Sequence, residues 1–183
     1  VAGRNEQRGQ AVVDEICASG EDAVFIGADY TDESQVAEAV RATVQHYGRL
    51  DAAVNTPGGG HGDFVVDLKA EDWKQVIDLN LTGTFYAIKY EAAQMKRDGG
   101  GSIVSISSIN STVPNITMSA YCAAKAGMDM LSKCAAMELG PDQIRVNVIN
   151  PGYVETPLIR QVMENQEMLR EILYNTPTRK LCK

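Results

Sequence analysis

The chain has 183 residues, of which 44% are hydrophobic and 22% charged, and its formal net charge is −7. This length is enough for one domain with a core of its own, and the acidic balance argues against a surface that binds nucleic acid or anionic lipid. No apolar stretch reaches the roughly 20 residues that span a bilayer, and the polar start of the chain lacks the apolar region of a signal peptide, so no membrane partner is expected.

Apolar residues recur in two alternating patterns, short continuous runs and longer segments with helical spacing. The runs AVFIGA, LDAAVN, SIVSI and IRVNVI have the length of buried strands, whereas the segments between them keep a 3.6-residue period. Asp32 or Thr31 is expected to cap one helix and Gly48 to end it. In chain order the predicted elements are helix 10–19, strand 23–28, the helix that begins after Thr31 or Asp32 and runs up to Gly48, strand 50–55, helix 72–97, strand 102–106, helix 119–139 and strand 144–149.

Buried strands separated by helices of this length predict parallel pairing through right-handed crossovers. The expected fold class is therefore α/β, a doubly wound parallel sheet with helices on both faces. Without repeats or a linker, residues 1–183 are predicted to form a single domain. Ligands of such sheets bind beyond the carboxyl ends of the strands, so the residues that directly follow each strand are the candidates for function.

The four cysteines form no closely spaced pair and do not cluster with either histidine. A zinc site needs closely spaced ligands, so no metal is expected. Isolated reduced thiols are typical of the cytoplasm, which is the expected location.

Tyr121 and Lys125 stand four residues apart at the start of the Ala-rich helix, so both side chains lie on one face. An ammonium group at about 4 Å favours the phenolate by of order 4 kcal/mol at an effective dielectric near 20, enough to bring the pKa of a tyrosine toward neutrality. Such a tyrosine exchanges protons at physiological pH. The spacing alone is weak evidence, because a solvated tyrosine and lysine on one helix face produce it more often.

Two other polar residues give this pair a context. Ser108 follows the strand SIVSI at the predicted ligand edge, where its hydroxyl could donate to a substrate oxygen or satisfy backbone groups of a turn. Asn80 interrupts an apolar helix, either as a local kink or as an amide that positions a water or backbone group behind Lys125.

Six segments occur in a characteristic order along the chain, namely DYTD (29–32), the Asn55–Gly58 segment, NLTGTF (80–85), SIVSISS, SAYCAAK and RVNVINPGYVETP. Together they resemble the motifs of the classical short-chain dehydrogenase/reductase family. The chain is therefore identified as a member of this family over essentially its whole length. The resemblance implies a Rossmann-type oxidoreductase that moves hydride between a nicotinamide cofactor and an alcohol or carbonyl carbon.

The resemblance also implies a role for each matching residue. Tyr121 is the expected general acid/base, and Lys125 is expected to lower its pKa and bind the nicotinamide ribose. Ser108 is expected to polarise the substrate oxygen, and Asn80 to support a proton-relay water. Besides Tyr121 and Lys125, the implied cofactor-binding residues are Gly3, Arg4, Asp29, Tyr30, Asn55, Gly58, Pro151, Gly152, Val154 and Thr156.

The start of the chain bears on which nicotinamide cofactor is used. By resemblance, Gly3 stands where relatives that prefer NAD carry an acid for the ribose 2′-hydroxyl. Arg4 follows, and a guanidinium suits a 2′-phosphate, so NADP(H) is favoured over NAD(H). Arg4 could instead only stack on the adenine.

Pro57 departs from the family pattern and removes a backbone donor, which puts the geometry on the adenosine side of the cofactor site in question.

Relatives carry a first strand with a glycine-rich turn before the position of Val1, and a helix and strand beyond that of Lys183. The sequence is therefore expected to be part of a longer polypeptide, truncated or incompletely recorded at both ends. The expected partner is a small-molecule carbonyl or alcohol of medium size, walled by residues 112–118 and 157–176. The family also implies a homo-oligomer, a tetramer or a dimer, associated through helices 72–97 and 119–139.

Two alternatives from other classes stay open at this point. One is a non-catalytic Rossmann-like binding or scaffold protein, which cofactor titration would distinguish. The other is a nicotinamide-dependent epimerase or dehydratase on the same fold, which would recycle its cofactor and give no net absorbance change of the reduced nicotinamide.

Overall fold

The computed structural model describes residues 1–156 and 164–182. The chain divides into two compact units, Val1–Ile149 and Asn150–Lys183. The first unit holds all the strands defined below. Among the described residues of the second unit, one helix and one isolated parallel bridge between Val154 and Cys182 are formed.

Five strands and six helices follow one another along the described residues. In chain order they are β1 (Ala2–Gly3), α1 (Glu6–Ala18), β2 (Ile26–Gly27), α2 (Glu33–Tyr47), β3 (Ala52–Asn55), α3 (Ala70–Ile77), α4 (Gly83–Asp98), β4 (Gly101–Ile106), α5 (Ser119–Leu139), β5 (Ile144–Ile149) and α6 (Gln166–Asn175). A π-helical segment, Asp78–Thr82, connects α3 to α4, and 3-10 turns cover Ile109–Ser111 and Gly140–Asp142. In the described parts of the chain, none of the helices is long and apolar enough to cross a membrane.

All strand pairs are parallel, as predicted, but they form two sheets. β1 pairs with β2, and β3, β4 and β5 form a three-stranded sheet with β4 in the centre. The register places Asn55 opposite Ser105, and Ile106 opposite Ile149, so the strands of the larger sheet end together at one edge. That edge presents the residues after each strand to a common region.

The structure corrects the extent of several predicted elements. Strand 23–28 shortens to two residues, Ile26 and Gly27, which pair in parallel with Ala2 and Gly3. α1 begins earlier than predicted, since the Asn5 side chain accepts a hydrogen bond from the amide of Arg8 and caps it. The caps of α2 are as predicted, with Asp32 accepting from Ser34 and Gln35, and Gly48 in a left-handed conformation.

The core of the first unit lies between α4, α5 and the three-stranded sheet. Its buried members are aliphatic or thioether side chains, namely Ile88, Ala92, Met95, Ile103, Ala135, Ile144 and Val146. Met95 and Ile103 are completely inaccessible to solvent. This packing fixes the two helices on the sheet and therefore fixes the side chains that they carry toward its carboxyl edge.

Gly83, the first residue of α4, touches the backbone of Tyr30. A Cβ at position 83 would lie 2.7 Å from the Tyr30 carbonyl oxygen, whereas one at Gly140 would meet no atom within 4 Å. We expect Gly83→Ala to lower the free energy of unfolding by about 1–3 kcal/mol, because backbone must move. Gly140→Ala is the matched control and is expected to be neutral or stabilising by up to about 1 kcal/mol. Urea unfolding of both variants measures the difference, and equal stabilities would contradict this close contact.

Candidate active site

Three of the predicted catalytic side chains lie together where β4 ends and α5 begins. The Lys125 ammonium nitrogen is 5.6 Å from the centroid of the Tyr121 ring, and the Ser108 hydroxyl is near enough to the Tyr121 phenol to affect its pKa. Ser108 also caps the following 3-10 turn, with its Oγ accepting from the amide of Asn110 at 3.1 Å. The hydroxyl thus satisfies a turn and also faces the phenol, and the tyrosine and lysine share one helix face as predicted.

Lys125 is held by backbone carbonyl groups from two strand ends. Its Nζ donates to the oxygen of Ile106 at 3.0 Å and to that of Pro57 at 3.2 Å. The side chain is only 2% exposed. The Ser107 hydroxyl donates to the Lys125 carbonyl at 3.2 Å, which ties α5 to the end of β4. Lys125 is thus fixed at the carboxyl edge of the sheet, with its amine directed at the segment after β3.

Burial shifts the pKa values of both Tyr121 and Lys125. Burial raises the pKa of Tyr121 above its usual value, and the nearby Ser108 hydroxyl offsets this only in part. Burial also lowers the pKa of Lys125 to about 8. In this structure desolvation of the phenol determines the direction of the shift, and the expected lowering of the Tyr121 pKa by Lys125 stays a prediction. Tyr121 is a protonated phenol at neutral pH.

Asn80 lies in the π-helical segment between α3 and α4 and is completely buried. Its Nδ2 donates to the Gly59 carbonyl at 2.7 Å and to the Val76 carbonyl at 2.9 Å. A π-helical segment inside a helix is often found at functional sites. Asn80 therefore both interrupts the helix and positions a backbone group, the carbonyl of Gly59. A role in supporting a relay water stays a prediction.

A glycine-rich segment, residues 58–62, lies beside these side chains. A Cβ at Gly60 would lie 2.8 Å from the end of the Met118 side chain and 3.7 Å from the Tyr121 ring, so this segment lies close to both side chains. The residue after this segment, Asp63, donates its amide to the Thr117 carbonyl at 2.9 Å. The predicted substrate wall at 112–118 is thereby joined to the segment after β3.

A cleft of about 250 Å³ opens between the ends of β1, β2 and β3. Four of the predicted cofactor-binding residues line it, namely Gly3, Arg4, Tyr30 and Gly58. Asp29 is next to them, with its carboxylate 3.8 Å from the Arg4 guanidinium. Hydrogen bonds from Thr31, supported by Arg4, lower the pKa of Asp29, which keeps it ionised.

Asn55 lies behind this cleft and is the middle member of a buried chain of hydrogen bonds, one member of which was not predicted from the sequence. Its Oδ1 accepts from the Tyr30 hydroxyl at 2.9 Å, and its Nδ2 donates to Glu91 at 2.8 Å. Sequence reasoning did not predict Glu91 as a site residue. Its signal in the sequence is a carboxylate on the apolar face of α4, between Ile88 and Met95.

The remaining predicted cofactor residues belong to the second unit. They are Pro151, Gly152, Val154 and Thr156, and their roles stay predictions. The predicted substrate lid, 157–176, contains α6, whereas its residues 157–163 lie outside the described residues.

The fold and these side chains define a class of protein, a parallel α/β protein that carries serine, tyrosine and lysine together at the carboxyl edge of its sheet. The sequence profile of short chain dehydrogenases matches residues 1–167. The chain belongs to the short-chain dehydrogenase family.

Individual relatives agree with this membership. Cyclohexanol dehydrogenase of Acinetobacter sp. (strain SE19) is 38% identical over 167 residues, which cover 91% of this chain and 66% of that protein. Trans-4-hydroxycyclohexanecarboxylate dehydrogenase of Sinomonas cyclohexanicum is 40% identical over 159 residues, 84% of this chain and 61% of that protein. The chain thus spans slightly less than two thirds of the length of these two relatives.

Solved structures match the fold closely. The structure of a short-chain type dehydrogenase/reductase from Mycobacterium ulcerans superimposes with a TM-score of 0.95, with 34% identity, covering 99% of this chain and 67% of that one. The predicted fold class, Rossmann-like α/β with parallel strands and helices on both faces, is confirmed.

Proposed function

We propose that the protein is an NAD(P)(H)-dependent oxidoreductase that transfers hydride between the nicotinamide and the carbon of a secondary alcohol or carbonyl. The observation that carries this proposal is the cluster of Ser108, Tyr121 and Lys125 at the carboxyl edge of the sheet. The cleft lined by Gly3 and Arg4 lies next to this cluster and supports the proposal, because its lining suits a nucleotide.

The nicotinamide supplies or accepts the hydride when it is bound. The Tyr121 hydroxyl, which is protonated at neutral pH, donates a proton to the substrate oxygen when a carbonyl is reduced. The Ser108 hydroxyl holds the same oxygen through a hydrogen bond. Lys125 lies beside the ring and stabilises the phenolate left on Tyr121 after the proton has moved.

The residues of the cleft fit the adenosine half of a dinucleotide. A Cβ at Gly3 would meet no atom within 4 Å, so the backbone there is open to a ligand. The Arg4 guanidinium is 66% exposed and available to an anionic group, and the ionised Asp29 can accept from an amino group. Arg4 is the feature that favours NADP(H) over NAD(H).

Replacing Arg4 tests the cofactor preference. We expect Arg4→Ala to raise the KM for NADPH by about 10- to 100-fold, because a charge-assisted hydrogen bond to the 2′-phosphate is lost. The KM for NADH should change by less than about threefold. Initial-rate kinetics with both cofactors measure the two values, and Arg8→Ala on the exposed face of α1 is the control. Equal effects on both cofactors would mean that Arg4 only stacks on adenine.

The names of the relatives suggest a class of substrate. Two of them are named for oxidation of cyclohexanol and of trans-4-hydroxycyclohexanecarboxylate, and a third is named 3-oxoacyl-(acyl-carrier-protein) reductase. Cyclic secondary alcohols and the matching ketones, which are compact and partly apolar, are therefore the substrates we would test first.

A panel of alcohols and carbonyl compounds, assayed with both cofactors, tests the proposed function. Net change in the absorbance of the reduced nicotinamide during turnover is the expected result. Cofactor binding without turnover of any compound would favour the scaffold alternative, and conversion of a substrate with no net absorbance change would favour an epimerase or dehydratase. The assay requires the full-length polypeptide.

We also propose that the enzyme is a cytoplasmic homo-oligomer, a dimer or a tetramer. Large apolar side chains are exposed on the two helices through which the family associates. Phe85 on α4 is 45% exposed, and Met130 and Met137 on α5 are 59% and 83% exposed. Burying them against another copy would remove apolar surface from water.

A further inference from the structure

We propose that Glu91 is a positioning residue for the dinucleotide cleft. It holds the Asn55 carboxamide in a single orientation, and through Asn55 it fixes the Tyr30 side chain and the segment Thr56–Gly58, which line the cleft. This inference rests on the proposed function, because it assigns a purpose to the cleft.

The three side chains form a continuous chain of hydrogen bonds across the first unit. The Tyr30 hydroxyl donates to Asn55 Oδ1 at 2.9 Å, and Asn55 Nδ2 donates to a Glu91 carboxylate oxygen at 2.8 Å. Asn55 is 1% exposed and Glu91 is 7% exposed. The chain thus joins the loop after β2, the last residue of β3 and the middle of α4.

The chemistry of Glu91 determines which way the Asn55 amide faces. The Glu91 carboxyl keeps an acceptor oxygen whether or not it is ionised, and the oxygen that accepts from Asn55 faces the amide nitrogen and not the amide oxygen. The amide oxygen is then directed at Tyr30, whose hydroxyl is a donor. An apolar residue at position 91 would leave the buried Asn55 nitrogen without this partner, which is costly, and would allow the amide to rotate.

Both ends of this chain reach the cleft. Tyr30 lines the cleft on one side and, on the other, a cavity of about 100 Å³ that Ala87 and Glu91 also line. Asn55 is followed directly by Thr56, Pro57 and Gly58, which form another wall of the cleft. The Pro57 carbonyl accepts from Lys125, so the same support extends to the candidate catalytic side chains.

Packing alone does not explain a carboxylate at this position. The inner cavity is lined mainly by aliphatic side chains such as Val36, Val40 and Leu50. Burial there raises the pKa of Glu91 to about 7, so the ionised form is disfavoured where it lies. An aliphatic side chain would fill the space without that cost, whereas only an acceptor fixes the Asn55 amide.

Two variants at position 91 separate positioning from packing. Glu91→Gln keeps the shape and one acceptor oxygen, and Glu91→Leu removes the acceptor. Fluorescence titration with NADPH gives the Kd, and initial rates give kcat and the KM for the cofactor. We expect Glu91→Leu to raise both the Kd and the KM for the cofactor about tenfold, with kcat within about threefold of the wild type. For Glu91→Gln, we expect Kd, KM and kcat each to stay within about threefold of the wild-type value.

The outcomes distinguish this inference from the proposed function. If the wild-type protein does not bind NADPH, both the proposed function and this inference are overturned. If the wild type and Glu91→Leu bind NADPH with the same Kd, only the inference is overturned. Equal weakening by Gln and Leu would also contradict it, since the acceptor would not be the cause. If Glu91→Leu does not fold, Tyr30→Phe removes one oxygen from the same chain and should raise the Kd about threefold or more; an unchanged Kd would count against the proposal.

Discussion

Replacement of Tyr121 by phenylalanine is expected to reduce kcat by about 10³-fold and leave the Kd for the cofactor within about threefold of the wild type. The phenol is the group that donates a proton to the substrate oxygen, and general acid catalysis contributes about 10²- to 10⁴-fold. The substitution keeps the ring, and therefore keeps its packing against Gly60 and its contact with the Lys125 ammonium. Only the hydroxyl, which faces Ser108, is removed.

Single-turnover reduction of a cyclic ketone, monitored by nicotinamide absorbance, measures this loss without the influence of product release. Tyr86→Phe in α4 is a matched control, since it deletes the same atom from a half-buried tyrosine to which we assign no role. Its kcat should equal that of the wild type. If Tyr121→Phe retained more than about a tenth of the wild-type kcat, the proton would have to come from another group.

The direction of the pKa shift at Tyr121 follows from burial. From the sequence, helical spacing correctly places Tyr121 and Lys125 on one face, because this depends only on the 3.6-residue period of α5. The direction of the Tyr121 pKa shift depends on how much solvent the fold removes from the phenol, which spacing does not reveal. Local geometry was therefore predictable, whereas the electrostatic environment was not.

The same distinction explains the other differences between sequence and structure. α5 and β5 have the predicted bounds because their apolar patterns are long and regular. The π-helical segment was not predicted, since the bond from Asn80 to the Gly59 carbonyl joins residues that are far apart in sequence. Glu91 was missed for a similar reason, because its partner Asn55 lies in a different element. The periodic pattern within one segment does not reveal contacts between segments that are far apart in the sequence.

The second large effect is expected when Lys125 is replaced. Its ammonium group is needed for turnover in the proposed mechanism, but burying that charge lowers the stability of the folded protein. The unfolded chain keeps this lysine protonated up to its ordinary pKa of 10.5, whereas the folded chain does so only up to about 8. Below pH 8 the folded state therefore carries a buried charge at a cost of about 3 kcal/mol, and the cost disappears as the pH rises from 8 through 10.5. Lys125 thus makes the wild-type protein more stable at about pH 10 than at about pH 8.

Lys125→Met is expected to lower kcat by about 10²- to 10³-fold, because the phenolate formed on Tyr121 loses the ammonium that stabilises it. At neutral pH the free energy of unfolding should stay within about 2 kcal/mol of the wild type. Removing the buried charge is favourable, but the carbonyl groups of Pro57 and Ile106 each lose a donor at about 1–3 kcal/mol.

Urea unfolding between pH 7 and pH 10, combined with steady-state rates, tests both parts of this expectation. The rise in stability above pH 8 should be present in the wild type and in Lys133→Met, which removes an exposed lysine from the same helix, and absent in Lys125→Met. A variant that kept full turnover would remove Lys125 from the proposed mechanism. A variant that lost turnover yet kept the alkaline rise in stability would show that another buried group is the source of that rise, and that Lys125 is charged at neutral pH without a large cost.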